Sequence, residues 1–297
     1  MTRWLPVAVP YLWMLVFFLI PFFIVFKISL STSDIAQPPY TPVFNVPADG
    51  ISGTLGKASE FVTDNYQRLI TDSLYWQSYL SSVWIAFFST LMILLIGYPI
   101  AYGMARAPAA WRPTLLMFVI LPFWTSFLIR IYAWIGILSP GGLLNTFLQW
   151  IGVISEPLTI LSTNWAVYIG IVYSYLPFMI LPLYSALEKM DDTLLEAASD
   201  LGCPPLQSFW KITFPLSLPG VIAGCFLVFI PVVGEFVIPD LLGGSDTLMI
   251  GKVMWEEFFN NRDWPSASAV AVVLLLILVI PIIIFQNQQQ KAGGSVR

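Results

Sequence analysis

The chain has 297 residues, 58% of them hydrophobic and only 10% charged, with a net charge of −4 and no histidine. A soluble domain carries roughly 25% charged residues, so the composition excludes an ordinary water-soluble globule, and no nucleic-acid partner is expected. The two cysteines, Cys203 and Cys225, fall in a loop and in an apolar run. A disulfide between them is therefore not expected. Without histidine or paired cysteines a transition metal has no ligand set, and neither metal nor cofactor is predicted.

Six apolar runs are long enough to cross a bilayer, which takes about 20 residues. They lie at about 5–26, 80–105, 113–138, 165–187, 217–242 and 264–285. The expected fold class is an all-α membrane protein with six spans in one transmembrane domain, embedded in the lipid bilayer. Span one follows Arg3 and has the outline of a signal peptide, but its apolar run is too long for a signal core and lacks a small-residue cleavage site. It is read as a retained span.

The loop 27–79 opens with an extended proline-rich stretch, Gln37 to Pro42, and its later part, Glu60 to Tyr79, has the mixed pattern of short surface helices. Between spans two and three, Arg106 and Arg112 stand without a nearby acid. Span three holds Trp124, Phe127, Arg130 and Trp134; span four holds Tyr168, Tyr175 and Met179 near one helical stripe. Pro21, Pro99, Pro122, Pro177, Pro182 and Pro231 lie well inside spans, where each frees a carbonyl and favours a bend.

The segment 188–216 is a polar island in this sequence. Thr193-Leu194-Leu195-Glu196 matches a capping box, in which the Thr hydroxyl meets the N–H of Glu196 and the Glu side chain reaches back. A helix should start there and end at Gly202 in a positive-φ turn before Pro204-Pro205. A second short helix is expected from about Pro205 to Ile212, stopping before Pro215. The residues alone leave two readings open: a surface touched by a partner, or an amphipathic loop resting on the membrane.

Span five carries Glu235 and Asp240, with Pro239 expected to break the helix between them. An ionisable residue inside a span is costly, which makes it a functional candidate. Glu235 is the first candidate for meeting a cation and Asp240 the second; Arg130 is the competing partner that would merely pair with Glu235. The aromatics Trp124, Phe127, Trp134, Tyr168 and Tyr175 are candidates for a cation-π lining, or ordinary bundle packing.

An even number of spans puts both termini on one side. With the termini cytoplasmic, Arg3, Arg106, Arg112, Lys189, Lys211, Lys291 and Arg297 all lie inside, as the excess of cations on cytoplasmic segments requires. The island is then cytoplasmic. The phosphate-loop pattern fails at its nearest approach, Gly251-Lys252, because Asp246 stands at the first glycine and Val253 follows the lysine. The chain is not expected to be an enzyme or to hydrolyse ATP by that route.

The spacing Glu196-Ala197-Ala198, Gly202, Ile212, Phe214-Pro215 resembles the EAA motif of ABC importer permeases, with Phe214 where the family has leucine. That resemblance implies a type I importer permease fold whose coupling helix, carried by Glu196, Ala197, Ala198, Gly202, Ile212 and Pro215, docks on an ATP-hydrolysing subunit. Further stretches are similar to permeases of bacterial polyamine importers: Leu121 to Arg130, Gly234 to Gly244 and Asn261 to Pro265. The run Gly234-Glu235-Phe236-Val237-Ile238-Pro239 looks more like the putrescine system than the spermidine-preferring one. The resemblance thus implies an inner-membrane subunit paired with a second permease, two ATP-binding subunits and a periplasmic polyamine-binding protein. The alternatives are an importer of another small solute, such as an aminophosphonate or ferric ion, and a stand-alone secondary transporter or channel.

Overall fold

The computed structural model describes residues 5–45, 50, 52, 53 and 56–294; Arg3 and Arg297, which entered the charge balance, lie outside them. The chain divides into two compact units, residues 1–79 with 250–297 and residues 80–249.

In the first unit, helix α1 (Ala8–Ser29) is apolar throughout and is followed by a two-residue hairpin, β1 (Thr32–Ser33) and β2 (Tyr40–Thr41), with Thr32 opposite Thr41. The proline-rich stretch thus forms the return of a hairpin. Lys27 at the end of α1 donates to the Pro42 carbonyl and lies 4.3 Å from the Tyr40 ring centre, so a cation-π contact and a charge-assisted hydrogen bond staple the hairpin to the helix. Helix α2 (Asp64–Thr71) satisfies carbonyls at and just beyond the end of α1: Asn65 Nδ2 donates to Ser29 O at 2.9 Å and to Ser31 O at 2.8 Å. Only α2 is a surface helix of the expected kind, because α3 (Ser73–Arg106) already begins at Ser73. The short helix α11 (Ile250–Trp255) leads to α12 (Trp264–Gly294), and the last turns of α1 pack on α12. Buried Glu257 accepts from the Tyr75 hydroxyl at 2.9 Å, which supplies the partner a buried carboxylate needs.

The second unit holds the remainder of α3, then α4 (Arg112–Ile120), α5 (Phe127–Leu138), α6 (Leu143–Trp150), α7 (Asn164–Glu188), α8 (Thr193–Asp200), α9 (Pro205–Val233) and α10 (Val237–Leu242). Its core is the contact of α7 with α9. Glycine permits this approach: a Cβ on Gly220 would sit 2.6 Å from the Ala186 Cβ, and one on Gly224 would sit 2.6 Å from the Met179 sulfur. Close backbone approach through small residues is the usual source of helix association in lipid, where burial of apolar surface gives little. Met179 is thereby part of the helix contact.

Among the described residues five helices are long and apolar enough to span a membrane: Ala8–Ser29, Ser73–Arg106, Phe127–Trp150, Asn164–Glu188 and Pro205–Val233. The continuous helix expected over 113–138 is instead interrupted, passing from α4 through a 3-10 turn (Leu121–Trp124) before α5 begins. Pro122 in that turn cannot donate, and Thr125 adopts an extended backbone. The helix expected over 217–242 is likewise broken between α9 and α10. By contrast, Pro215 does not stop a helix. A π-turn, Phe209–Thr213, precedes it, and Phe214 N–H reaches back to Phe209 O, so the widened turn clears room for the proline ring. Leu15–Leu19 does the same ahead of Pro21.

Candidate functional site

The polar island folds as a short helix, a turn and a long helix. Helix α8 starts at Thr193 as the sequence indicates, but the cap differs. Asp191 Oδ1 accepts the Thr193 N–H at 3.0 Å, and that bond holds the Asp191 carboxyl below the usual carboxylate range. The expected capping box is not made, since the Glu196 N–H bonds Asp192 O at 3.2 Å. Thr193 is already the first helical residue, and aspartate caps at least as well as threonine. At the other end Gly202 has φ +73°, with Cys203 N–H on Ala198 O and Gly202 N–H on Ser199 O, both 2.9 Å. These two bonds are a Schellman closure. After Pro204 the chain enters α9, so the second short helix expected over 205–212 is the first part of α9, and Ile212 and Pro215 belong to that long helix.

Ala198 is buried, whereas Glu196, Ala197 and Asp200 are exposed. Leu201 is 88% and Leu206 71% exposed, so the turn behind α8 presents apolar side chains next to the acids of the helix. The island is also tied to the turn between α3 and α4. Arg106 pairs with Asp192, and Arg112 lies 3.6 Å from Glu188, which also accepts from the Tyr184 hydroxyl at 2.7 Å. Neither pairing was legible in the sequence, where the partners stand 86 and 76 positions apart.

The second site is the break after α9. Gly234 ends the helix and Glu235 folds forward over the next one. Its Oε1 accepts the N–H groups of Phe236 (3.1 Å), Val237 (2.9 Å) and Ile238 (3.4 Å), and its Oε2 accepts from the Tyr175 hydroxyl. The carboxylate satisfies donors that an α10 start leaves open, and its charge suits the positive end of a helix. The break therefore falls at Gly234 to Phe236 and not at Pro239, which sits within α10. Helix α10 is held by α7: a Cβ on Gly170 would meet Leu242 at 2.6 Å.

The alternative pairing of Glu235 with Arg130 is not formed. Arg130 lies 5.2 Å from the Phe123 ring centre and 5.6 Å from that of Phe127, with its Nε buried and without a hydrogen-bond partner among the described residues. Arg130, Phe127 and Tyr175 line one cavity of about 630 Å³, together with Phe123, Ser174 and Phe178. Its size is that of a small-ligand site. Trp134 and Tyr168 line a different groove of about 350 Å³, and Trp124 is 75% exposed on the 3-10 turn. The aromatic candidates thus fall on separate surfaces. Asp240 is exposed on α10, and its carboxylate has no hydrogen bond or ion pair among the described residues.

Comparison with known proteins gives the chain a family. Residues 78–291 match the family described as the binding-protein-dependent transport system inner membrane component. The spermidine/putrescine transport system permease protein PotB of Escherichia coli (strain K12) is 50% identical over 211 residues, 71% of this chain and 76% of that protein. PotB of Haemophilus influenzae (strain ATCC 51907 / DSM 11121 / KW20 / Rd) is 43% identical over 265 residues, 89% of this chain and 86% of that protein. Among solved structures, a bacterial ABC transporter involved in import of the acidic polysaccharide alginate contains a chain of the same fold, with a TM-score of 0.69 at 17% identity, covering 97% of this chain and 96% of that one. The chain belongs to the family of binding-protein-dependent transport system inner membrane components.

Proposed function

We propose that this chain is the permease subunit of an ATP-driven importer of polyamines, working with a second permease, two ATP-binding subunits and a periplasmic binding protein. The observation that carries the coupling role is the exposed apolar face of α8 and the turn behind it, with Leu201 88% exposed beside Glu196 and Asp200. A single exposed leucine would mean little, but Leu194, Leu201 and Leu206 are exposed together within one polar segment, and grouped apolar side chains mark an interaction surface. Family membership supports an ATPase as its partner, and the names of the PotB relatives support spermidine or putrescine as cargo. Both termini and α8 then face the cytoplasm, in line with the distribution of arginine and lysine; labelling of single cysteines placed at either end from each side of the membrane tests this.

Within the pathway, Asp240 is the carboxylate available to an ammonium group, and Glu235 is the cap that holds α10 in place. This reverses the order expected from the sequence, because Glu235 already accepts from Tyr175 and from the α10 N–H groups, while Asp240 has no bonded donor among the described residues. Spans broken near a binding site are a common transporter device.

Leu201→Asp in the assembled transporter is expected to abolish co-purification of the ATP-binding subunits while the permease still inserts. Retention of those subunits at wild-type ratio sinks the docking role of α8. One observation favours a second reading: Arg130 in the cavity repels a cation and attracts an anion, as an aminophosphonate importer needs. Titration of the periplasmic binding protein with putrescine, spermidine and aminophosphonates separates the two.

A further inference from the structure

We infer that Arg106 and Arg112 are positioning residues that make the turn between α3 and α4 travel with α8, so that motion at the ATPase reaches the cavity wall. The inference rests on the proposed docking of α8. Arg106 is the last residue of α3 and Arg112 the first of α4. Their partners bracket the approach to α8: Glu188 ends α7, and Asp192 immediately precedes Thr193. The two pairs therefore tie the same two segments at both ends, and a hinge at either single contact is blocked by the other.

The geometry gives each pair support beyond charge. The Arg106 guanidinium lies 5.6 Å from the Tyr102 ring centre, and Arg112 Nε donates to Ala107 O at 2.9 Å, which fixes that side chain against its own turn. Glu188 is held at the same oxygen, Oε1, by the Tyr184 hydroxyl. Isolated exposed ion pairs are weak, but side chains already restrained by neighbouring contacts lose less freedom on pairing. From Arg112, α4 leads through nine helical residues into the Leu121–Trp124 turn, whose Phe123 lines the cavity and packs edge-on against Phe178 of α7 at 5.2 Å. A displacement of α8 passed to Arg112 is thus delivered to an aromatic wall of the cavity, without any contact between α8 and the cavity itself. The bland account of both arginines is that they are only the positive charges that orient the loop.

The test uses the complete transporter in proteoliposomes, with polyamine uptake and ATP hydrolysis read in parallel. In the double variant R106Q/R112Q, ATP-binding subunits should co-purify at wild-type ratio and basal hydrolysis should persist. Uptake per ATP hydrolysed should fall about fivefold or more, the size of a typical coupling between sites. The swaps R106D/D192R and R112E/E188R should each recover more uptake than their single-site components. Unchanged uptake per ATP in R106Q/R112Q overturns the inference, as does a failure of both swaps to exceed their single variants. Loss of the ATP-binding subunits from R106Q/R112Q also overturns it, because the arginines then serve docking itself. Failure of the docking reading shows up separately, as retention of those subunits by Leu201→Asp.

Discussion

The α8 island and the break after α9 are both points where helix gives way to turn, yet they are held differently. The turn at Gly202 is closed by its own backbone, with Cys203 and Gly202 bonding carbonyls five and three residues back. The break at Gly234 to Phe236 depends on a side chain, Glu235, and on a donor from another helix, Tyr175. A locally closed turn survives exposure, as the proposed docking surface requires. A break closed by a carboxylate has to stay dry and packed, and it therefore constrains the pathway residues around it.

Variants can set the two against each other. The largest effect is expected from Gly202→Val. No atom lies within 4 Å of a Cβ built there, so any loss comes from backbone strain at φ +73° alone, about 1–3 kcal/mol. Uptake should drop by about tenfold or more, whereas Gly202→Asn, which tolerates that φ, should be mild. Equal loss in both variants contradicts the backbone account.

Next is Glu235→Ala, which removes the cap and should lower the stability of the purified protein by about 0.5–2 kcal/mol, seen as a fall in Tm together with reduced uptake. Glu235→Gln keeps an acceptor for the α10 N–H groups and should retain most of both. If Gln is as harmful as Ala, the charge matters and the carboxylate is more than a cap.

Asp240→Asn should raise the KM for polyamine uptake about three- to fivefold, the worth of one exposed charge contact, and leave Tm unchanged. An unaltered KM removes Asp240 from the pathway. The smallest change is expected from Tyr175→Phe, which deletes one of four donors to Glu235 and should cost about 0.5 kcal/mol in thermal unfolding.

Much of the first region was legible in the sequence because its determinants are close in the chain. Thr193 to Gly202 is one short helix with a glycine stop, and the positive φ at Gly202 follows from the residue type and the prolines behind it. The cap was misread only in choosing Thr193 over Asp191, two residues away and equally visible. The second region was less legible. Proline is the obvious helix breaker, so Pro239 drew the break, but proline is accommodated in the first turn of a helix and the chain instead restarts under the Glu235 carboxylate. The same bias made Pro215 look like a stop, when a π-turn carries the helix past it.

Composition and periodicity by themselves determined that the chain crosses a membrane in several helices, and motif spacing located the segment we propose as the docking surface. Both properties depend on near neighbours: a run of apolar side chains sets its own preference for lipid, and a helix cap or glycine turn closes within a few residues. Only the tertiary structure decided which carboxylate is occupied and which is available, that Arg130 faces an aromatic cavity and not Glu235, and that Arg106 and Arg112 grip the two ends of the island's approach. Those outcomes turn on distances of a few ångströms between residues that lie tens of positions apart, and electrostatic and hydrogen-bond energies change over that range. Residue type sets what each group can do, and the packing of α7 against α9 and α10 sets which of them still has a bond to make.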